Sequence, residues 1–380
     1  MEVVVTGIGL VSSLGENLAT SWHNLLAGKS GICRQQPFTE IEPRPLALIA
    51  HTPAELNDLT RLVVALAVAD AGLVLPLPEC GVVIGSSRAY QGLWEDLARQ
   101  QYSKHQARID LAQWLETLPA MNAIAAARQI GTTNSVLAPM AACATGIWAL
   151  AQAYELIQTG QCQRAIAGAV EAPITPLTLA GFQQMGALAQ TGAYPFDRKR
   201  EGLVLGEGAA VFVLESALAA RERQAKIYGE ILGFGLTSDA YHANAPELGG
   251  KSAIAAIQQC LQRSKLVAKD IDYVHAHGTA TKLNDQNEAN LIQWLLPDVA
   301  ISSTKGATGH TLGASGALGT AFCLLALQNQ VLPPCVGLQT PEFDLNFVTA
   351  PRQSVVRAVL CWSFGFGGQN AVVALGKFDD

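Results

Sequence analysis

Cys143 sits in Met140-Ala-Ala-Cys-Ala-Thr-Gly146, where an extended approach, Thr133–Pro139, gives way to an apolar stretch, Gly146–Ile157. The apolar stretch predicts a helix, which puts the thiol at a helix N-terminus. Positive partial charge and unpaired N–H groups at such an end favour a thiolate and lower its pKa. The small residues on either side leave room for a bulky substrate. A cysteine chosen at random in an apolar chain is more often buried and inert. Three clusters far along the chain outweigh that expectation here.

The first cluster is Val274-His-Ala-His-Gly-Thr-Ala-Thr281. His275 and His277 fall on the same side of a strand if it stays regular to that point. The sequence places no obvious third ligand beside them, so no metal is expected. The glycine and hydroxyl residues after His277 suit a polar loop in close contact with substrate. The second cluster is Ser302-Ser-Thr-Lys-Gly-Ala-Thr-Gly-His310, where Lys305 can set the local field and orient a neighbour of His310. The third, Ser363-Phe-Gly-Phe-Gly-Gly-Gln-Asn370, is a glycine-rich turn between two strands, whose N–H groups can approach a ligand closely. Core packing is the plain alternative for Phe364 and Phe366.

Together these groups suit thioester chemistry. A thiolate attacks a thioester to give an acyl-enzyme. Backbone N–H groups then hold the oxyanion, at roughly 2–4 kcal/mol per donor. Two neutral histidines can donate hydrogen bonds to an enolate formed by decarboxylation. A Cys–His protease would use the same nucleophile but needs neither the second histidine nor the lysine.

Such groups need a scaffold, and the rest of the chain describes one. Short apolar strands are predicted at Val3–Val5, Val82–Ile84, Arg164–Gly168 and Ala210–Leu214, then at Gly229–Gly233, Ile271–His275, Ala300–Ser302, Val355–Cys361 and Ala371–Leu375. Helices are predicted near Thr60–Ala71, Met121–Gln129, Thr145–Thr159, Ser252–Ser264, Asp285–Leu296 and Ala317–Gln328. The alternation implies an α/β protein with mostly parallel sheets. The charged stretch Arg221–Lys226 marks the junction of two closely packed halves: 1–225 with the nucleophile, and 226–380 with the His-, Lys- and Gly-rich loops. Gly7-Ile-Gly9 follows a strand, but Ser12 leaves a dinucleotide fingerprint incomplete, and a tight turn is expected there.

Composition narrows the function classes. The chain has 380 residues, 49% hydrophobic and 15% charged, with a net charge of −6. No Lys/Arg run points to nucleic acid. The apolar run Leu62–Ala69 stops at Asp70, far short of a membrane span. Eight cysteines without a C-x-x-C pair argue against a zinc site or a disulfide framework. A cytoplasmic protein is the expectation.

With these motifs in order, the chain resembles the β-ketoacyl-acyl carrier protein synthases, elongating condensing enzymes of the thiolase superfamily. The likeness runs from Val4-Val-Thr-Gly-Ile-Gly9 through Pro195-Phe-Asp197, Gly202-Leu-Val-Leu-Gly-Glu-Gly208 and Ser238-Asp-Ala-Tyr-His242 to the last Gly-rich turn. It implies a duplicated thiolase fold of five layers, α-β-α-β-α, working as a dimer. It implies that Cys143 is the acylated nucleophile. His277 and His310 match the pair that assists malonyl decarboxylation, and Lys305 matches the active-site lysine. Phe366 matches the gating residue, whose N–H joins that of Cys143 in an oxyanion hole. Thr279 and Thr281, with Phe364 beside them, match groups contacting the phosphopantetheine arm of acyl carrier protein, with no other cofactor required.

Departures from that pattern are informative. Fatty-acid-type synthases carry a glutamate fourteen residues after the lysine, where this chain has Gly319. Ala280 and Lys282 stand where a Gly or Ser and a Pro are usual, and Gln369 where Thr is usual. They favour a specialised lipid, polyketide or aryl polyene pathway over housekeeping elongation. The alternative is a non-catalytic, chain-length-factor-like subunit paired with a second ketosynthase-like chain. A thiolase, with Cys361 as its second cysteine, fits less well, because Cys361 precedes the Gly-rich loop. Homodimer and heterodimer are both compatible with the sequence.

Overall fold

The computed structural model describes residues 1–103 and 110–378. Ten strands form one hydrogen-bonded surface: β1 (Val3–Ser12), β2 (Gly81–Gly85), β3 (Val136–Leu137), β4 (Arg164–Glu171), β5 (Gly208–Ser216), β6 (Gly229–Ser238), β7 (Tyr273–His275), β8 (Ala300–Ser302), β9 (Ala358–Gly365) and β10 (Gln369–Gly376). Six helices matter to the site: α1 (Leu56–Asp70), α2 (Met121–Ile130), α3 (Thr145–Gln158), α4 (Lys251–Ser264), α5 (Lys282–Leu295) and α6 (Ser315–Asn329).

The spatial order is β3-β2-β4-β5-β1 on one side and β8-β7-β9-β10-β6 on the other. The two sets of five repeat one topology. In each, the second strand is parallel to its neighbours on both sides and the remaining pairs are antiparallel. Among the described residues, a short antiparallel contact, Val4 with Glu230 and Val5 with Gly229, joins them in the sheet. The expectation of mostly parallel sheets is therefore corrected. A three-residue turn, Phe366–Gly368, joins β9 to β10 and forces an antiparallel pair, whereas parallel neighbours need a long crossover.

Period-two alternation builds the layers. Ala165, Ala167 and Ala169 of β4 pack towards α3 and α6, while Ile166 and Val170 pack towards α1 and α2. In the other half, Val359 and Cys361 face the α3/α6 layer, and Leu360 and Trp362 face α4 and α5. The result is the five-layered thiolase fold. Helix α6 is apolar all round, and every residue from Ser315 to Leu327 is buried. A helix of that kind belongs at the centre of a core. The segment Leu312–Asn329 is apolar enough to cross a membrane by length and composition, and 89% of it is buried inside the protein.

Gly7-Ile-Gly9 is not a turn. It lies within β1, and a Cβ at Gly9 would stand 2.0 Å from the Val63 carbonyl oxygen of α1. Glycine lets strand and helix touch there, a packing role that local turn propensity does not reveal.

Candidate active site

The nucleophile turn precedes α3. Ala142 adopts φ 46°, which a β-bearing residue takes only under local constraint. Thr145 Oγ1 supplies that constraint, accepting from Ala141 N–H at 2.9 Å and donating to the Ala142 carbonyl at 2.7 Å. Ser363 Oγ of β9 donates to the Cys143 carbonyl at 2.7 Å, which ties the turn to the second half of the protein.

Cys143 is 6% exposed, and burial pushes its thiol up to about 11. The Lys305 charge and the Phe366 N–H pull in the other direction. The expected thiolate stabilised by a helix end is thus corrected. The first N–H groups of the turn, Ala144 and Thr145, are already bonded to the Ala141 and Ala142 carbonyls at 3.0 and 3.2 Å. Burial thus favours the thiol over the thiolate, and the neutral form of the imidazoles beside it.

Those imidazoles come from two loops. β7 ends at His275, so the strand does not stay regular to His277, and the two rings go to different places. The Sγ of Cys143 and one ring nitrogen each of His277 and His310 lie within 4.8 Å of one another. The ligand set that the local sequence lacked is thus assembled from distant segments, and such a Cys–His–His trio could also hold a metal ion. The His277 and His310 rings meet edge to face at 5.2 Å, and Phe364 stands 6.2 Å from His277. Burial, followed by the Lys305 charge, holds both histidines well below the usual 6.5. His277 Nδ1 is buried and has no hydrogen-bond partner among the described residues. Ser315 Oγ lies 3.4 Å from His310 Nδ1.

Lys305 is 3% exposed and stands behind the histidines. Its ammonium donates to the His277 carbonyl. The N–H of the same peptide unit, on Gly278, donates to Glu288 Oε2 at 2.5 Å, and His277 N–H donates to Oε1 at 2.6 Å. One peptide bond thereby links a buried cation to a buried carboxylate. Burial lowers the Lys305 pKa and raises that of Glu288, and their mutual attraction opposes both shifts. Asp285 works alongside: it accepts from Phe196 N–H at 2.7 Å and from Ala280 N–H at 3.2 Å. The second bond holds Ala280 at φ 65°.

Sequence reasoning missed Asp285 and Glu288. Their signal was present, because both occupy the buried stripe of α5 with Ala289 and Ile292, where carboxylates are out of place. Reading it required knowing that α5 backs onto the His277 loop.

A cavity of about 360 Å³ leads from Lys282 and Asn244 down to Cys143. His277, Thr279, Thr281, His310, Phe364 and Phe366 line it. Of the predicted site residues, only Lys305 stays behind the wall. Thr279 Oγ1 and Thr281 Oγ1 are 2.9 Å apart on one side of the cavity. Phe366 stacks on Phe182 at 5.9 Å.

Known proteins agree with this architecture. Residues 56–220 match the model of the beta-ketoacyl synthase N-terminal domain, and residues 228–339 that of the C-terminal domain. The 3-oxoacyl-[acyl-carrier-protein] synthase 2 of Staphylococcus aureus (strain MRSA252) is 33% identical over 414 aligned positions, covering 100% of this chain and 99% of the relative. Among solved structures, a type II polyketide acyl-carrier protein in complex with its ketosynthase bound to the hexaketide (AntDE:AntF) superimposes with a TM-score of 0.94 at 27% identity, covering 99% of each chain. The ishigamide ketosynthase/chain length factor gives a TM-score of 0.92 at 29% identity, covering 100% of this chain and 99% of its own. With matches to both halves and to a full-length relative, the chain belongs to the beta-ketoacyl synthase family, acyltransferases of the condensing type.

Proposed function

We propose that this chain elongates an acyl group held on Cys143 by decarboxylative condensation with malonyl-acyl carrier protein. The observation that carries the reading is the convergence of Cys143, His277 and His310 within 4.8 Å at the floor of the cavity. In the first half-reaction Sγ attacks the donor thioester, and its proton passes to a neighbouring neutral imidazole. The N–H groups of Cys143 and Phe366 hold the oxyanion. Collapse expels the phosphopantetheine thiol, which takes that proton, and the acyl group stays on Cys143. In the second half-reaction the malonyl carboxylate leaves as carbon dioxide, and its electron pair forms an enolate hydrogen-bonded by the two imidazoles. The enolate carbon attacks the Cys143 thioester. A C–C bond forms, the C–S bond breaks, and the released thiolate takes a proton from solvent. Thr279 and Thr281 steady the phosphopantetheine arm, so the chain requires no cofactor of its own.

Acyl carrier protein is the partner on this reading, in a homodimer or beside a second ketosynthase-like chain in the cytoplasm. The two halves meet at 225/226, a seam supported by the repeat of strand order on either side of it. Gly319, Ala280 and Gln369 support a specialised lipid, polyketide or aryl polyene pathway. The chain-length-factor reading draws on the ishigamide neighbour, but the intact Cys143, His277, Lys305 and His310 favour catalysis.

Intact-protein mass spectrometry with a panel of acyl carrier protein thioesters, run beside Cys143→Ala, tests the assignment. A mass gain confined to the wild type supports it, and the preferred acyl group identifies the substrate. A folded protein that gains no mass from any donor overturns it in favour of the partner-subunit reading.

A further inference from the structure

We propose that His275, a residue the scheme above does not use, is a positioning residue that clamps the catalytic loops together, and that position 319 is glycine to house its ring. The inference rests on the roles given above to His277 and Lys305. The His275 ring is 2% exposed and lies at the very end of β7, two residues before His277. Its Nε2 is 3.1 Å from Thr304 Oγ1, and its Nδ1 is 3.8 Å from Cys361 Sγ. Thr304 immediately precedes Lys305, and its carbonyl accepts from the N–H and the Oγ1 of Thr308 at 3.0 and 3.2 Å, closing the helical turn that carries the lysine. Cys361 belongs to β9, the strand that runs on to Phe366. One imidazole thus joins the strand leading to His277, the turn presenting Lys305 and the strand leading to Phe366.

The wall behind that ring is made by an absence of side chain. A Cβ at position 319 would stand 2.7 Å from both Cε1 and Nδ1 of His275 and 2.8 Å from Cys361 Sγ. Real Cβ atoms do not make such contacts, and the obstacles are a clamped ring and a buried sulfur rather than flexible tips. Glycine is unfavourable inside a helix, so its place in the middle of α6 calls for a local reason, and the His275 ring supplies one. The space in which a side chain at 319 would sit is taken by this ring, and the charge partner of Lys305 is Glu288 through the His277–Gly278 peptide.

The decarboxylation half-reaction needs His277 and Lys305 in fixed register, and a misplacement of about 1 Å costs on the order of 10²-fold. Acyl transfer can use His310 as its proton acceptor, and the Phe366 N–H that it needs is also held by the β9–β10 ladder, which does not depend on His275. The test is to measure both half-reactions and the melting temperature in His275→Phe, which keeps an aromatic ring of slightly larger size but loses both contacts, in His275→Gln, and in Gly319→Ala. The expected result is a fall of about 10- to 100-fold in malonyl decarboxylation for His275→Phe and Gly319→Ala, with acylation of Cys143 within about threefold. His275→Gln, which can still reach Thr304, recovers most of the rate. In the double variant His275→Ala/Gly319→Ala the clash with the ring is gone and only the Cys361 Sγ contact remains, so the melting temperature recovers in part relative to Gly319→Ala while decarboxylation stays slow. Wild-type decarboxylation in His275→Phe overturns the proposal. Equal falls in both half-reactions that track a lowered melting temperature overturn it as well, since they mark a purely structural histidine. Failure of the wild type to become acylated at all defeats the functional assignment instead, and is seen before any variant is made.

Discussion

Gly365→Ala isolates the oxyanion hole. Gly365 has φ −110° and ψ 156°, a conformation any residue adopts, so the substitution carries no backbone strain. Its cost is contact alone: the new methyl would stand 2.9 Å from Cys143 N, 3.0 Å from the Ala141 carbonyl oxygen and 3.2 Å from Ala142 Cβ. Ordinary contact begins near 3.4 Å, so the end of β9 must retreat by about half an ångström, and Phe366, the next residue, retreats with it. The retreat draws one of two expected donors away from the reacting carbonyl, a loss of roughly 10²–10³-fold in rate when complete. A partial displacement should slow acylation of Cys143 by about 10- to 100-fold. Overpacking of this kind costs about 1–3 kcal/mol. With an unfolding entropy of about 2 cal/mol/K per residue over 380 residues, that corresponds to only about 1–4 °C in Tm. Gly181→Ala is the control, since a Cβ there meets nothing within 4 Å. The assay is rapid-quench intact mass spectrometry of the acyl-enzyme, beside a thermal melt. Wild-type acylation in a folded Gly365→Ala protein would falsify the role of the Phe366 N–H.

Other expectations follow from the same geometry. His277 and His310, held below 6.5 by burial, should stay neutral in mildly acid solution, so the acid limb of the pH–rate profile should lie well below 6.5. Their folded pKa values lie below the unfolded one, so their contribution to stability is complete above pH 6.5 and is lost as pH falls; melts between pH 7 and pH 5 check the sign. Lys305→Met leaves the Glu288 carboxylate buried without its cation, and adding Glu288→Gln should restore part of the loss. A double-mutant cycle on Tm should give a coupling of about 1–3 kcal/mol, and strict additivity would refute the bridge through the His277–Gly278 peptide. Replacing Thr279 and Thr281 together by Val should raise KM for carrier-bound substrate by roughly 5- to 30-fold, for one or two lost hydrogen bonds at about 1 kcal/mol each, with kcat nearly unchanged. A fall in kcat with constant KM would argue against an arm-binding role.

Much of the site was legible because its chemistry is concentrated in short motifs. Cys143, His277, Lys305 and Phe366 each lie within two residues of a strand end or a helix start, and His310 follows a short helical turn, in segments where glycine and small residues announce a loop. Helix positions were also readable: α3 was predicted at Thr145–Thr159 and observed at Thr145–Gln158, because its apolar run is long and capped by a change of composition. Strand direction was less accessible. Apolar period and length are the same for parallel and antiparallel neighbours, so the β9–β10 hairpin escaped the reading until its connecting turn was seen in place. Gly7 and Gly9 misled for a similar reason: a glycine that admits a helix backbone and one that makes a turn look alike in one dimension.

What the sequence by itself determined was the type of chemistry and the alternation of elements, since both depend on residue identity and local spacing. The state of the groups was decided only by the tertiary structure. Burial raised the Cys143 thiol to about 11 where helix-end reasoning alone favoured a thiolate, because desolvation depends on everything that packs around the sulfur. The same holds for Lys305. Its anionic partner, Glu288, is reached through the backbone of His277, and the space beside Gly319 is filled by the ring of His275 from β7. Long-range contacts of this kind leave no local trace, and they come into being only when segments distant in the chain pack together.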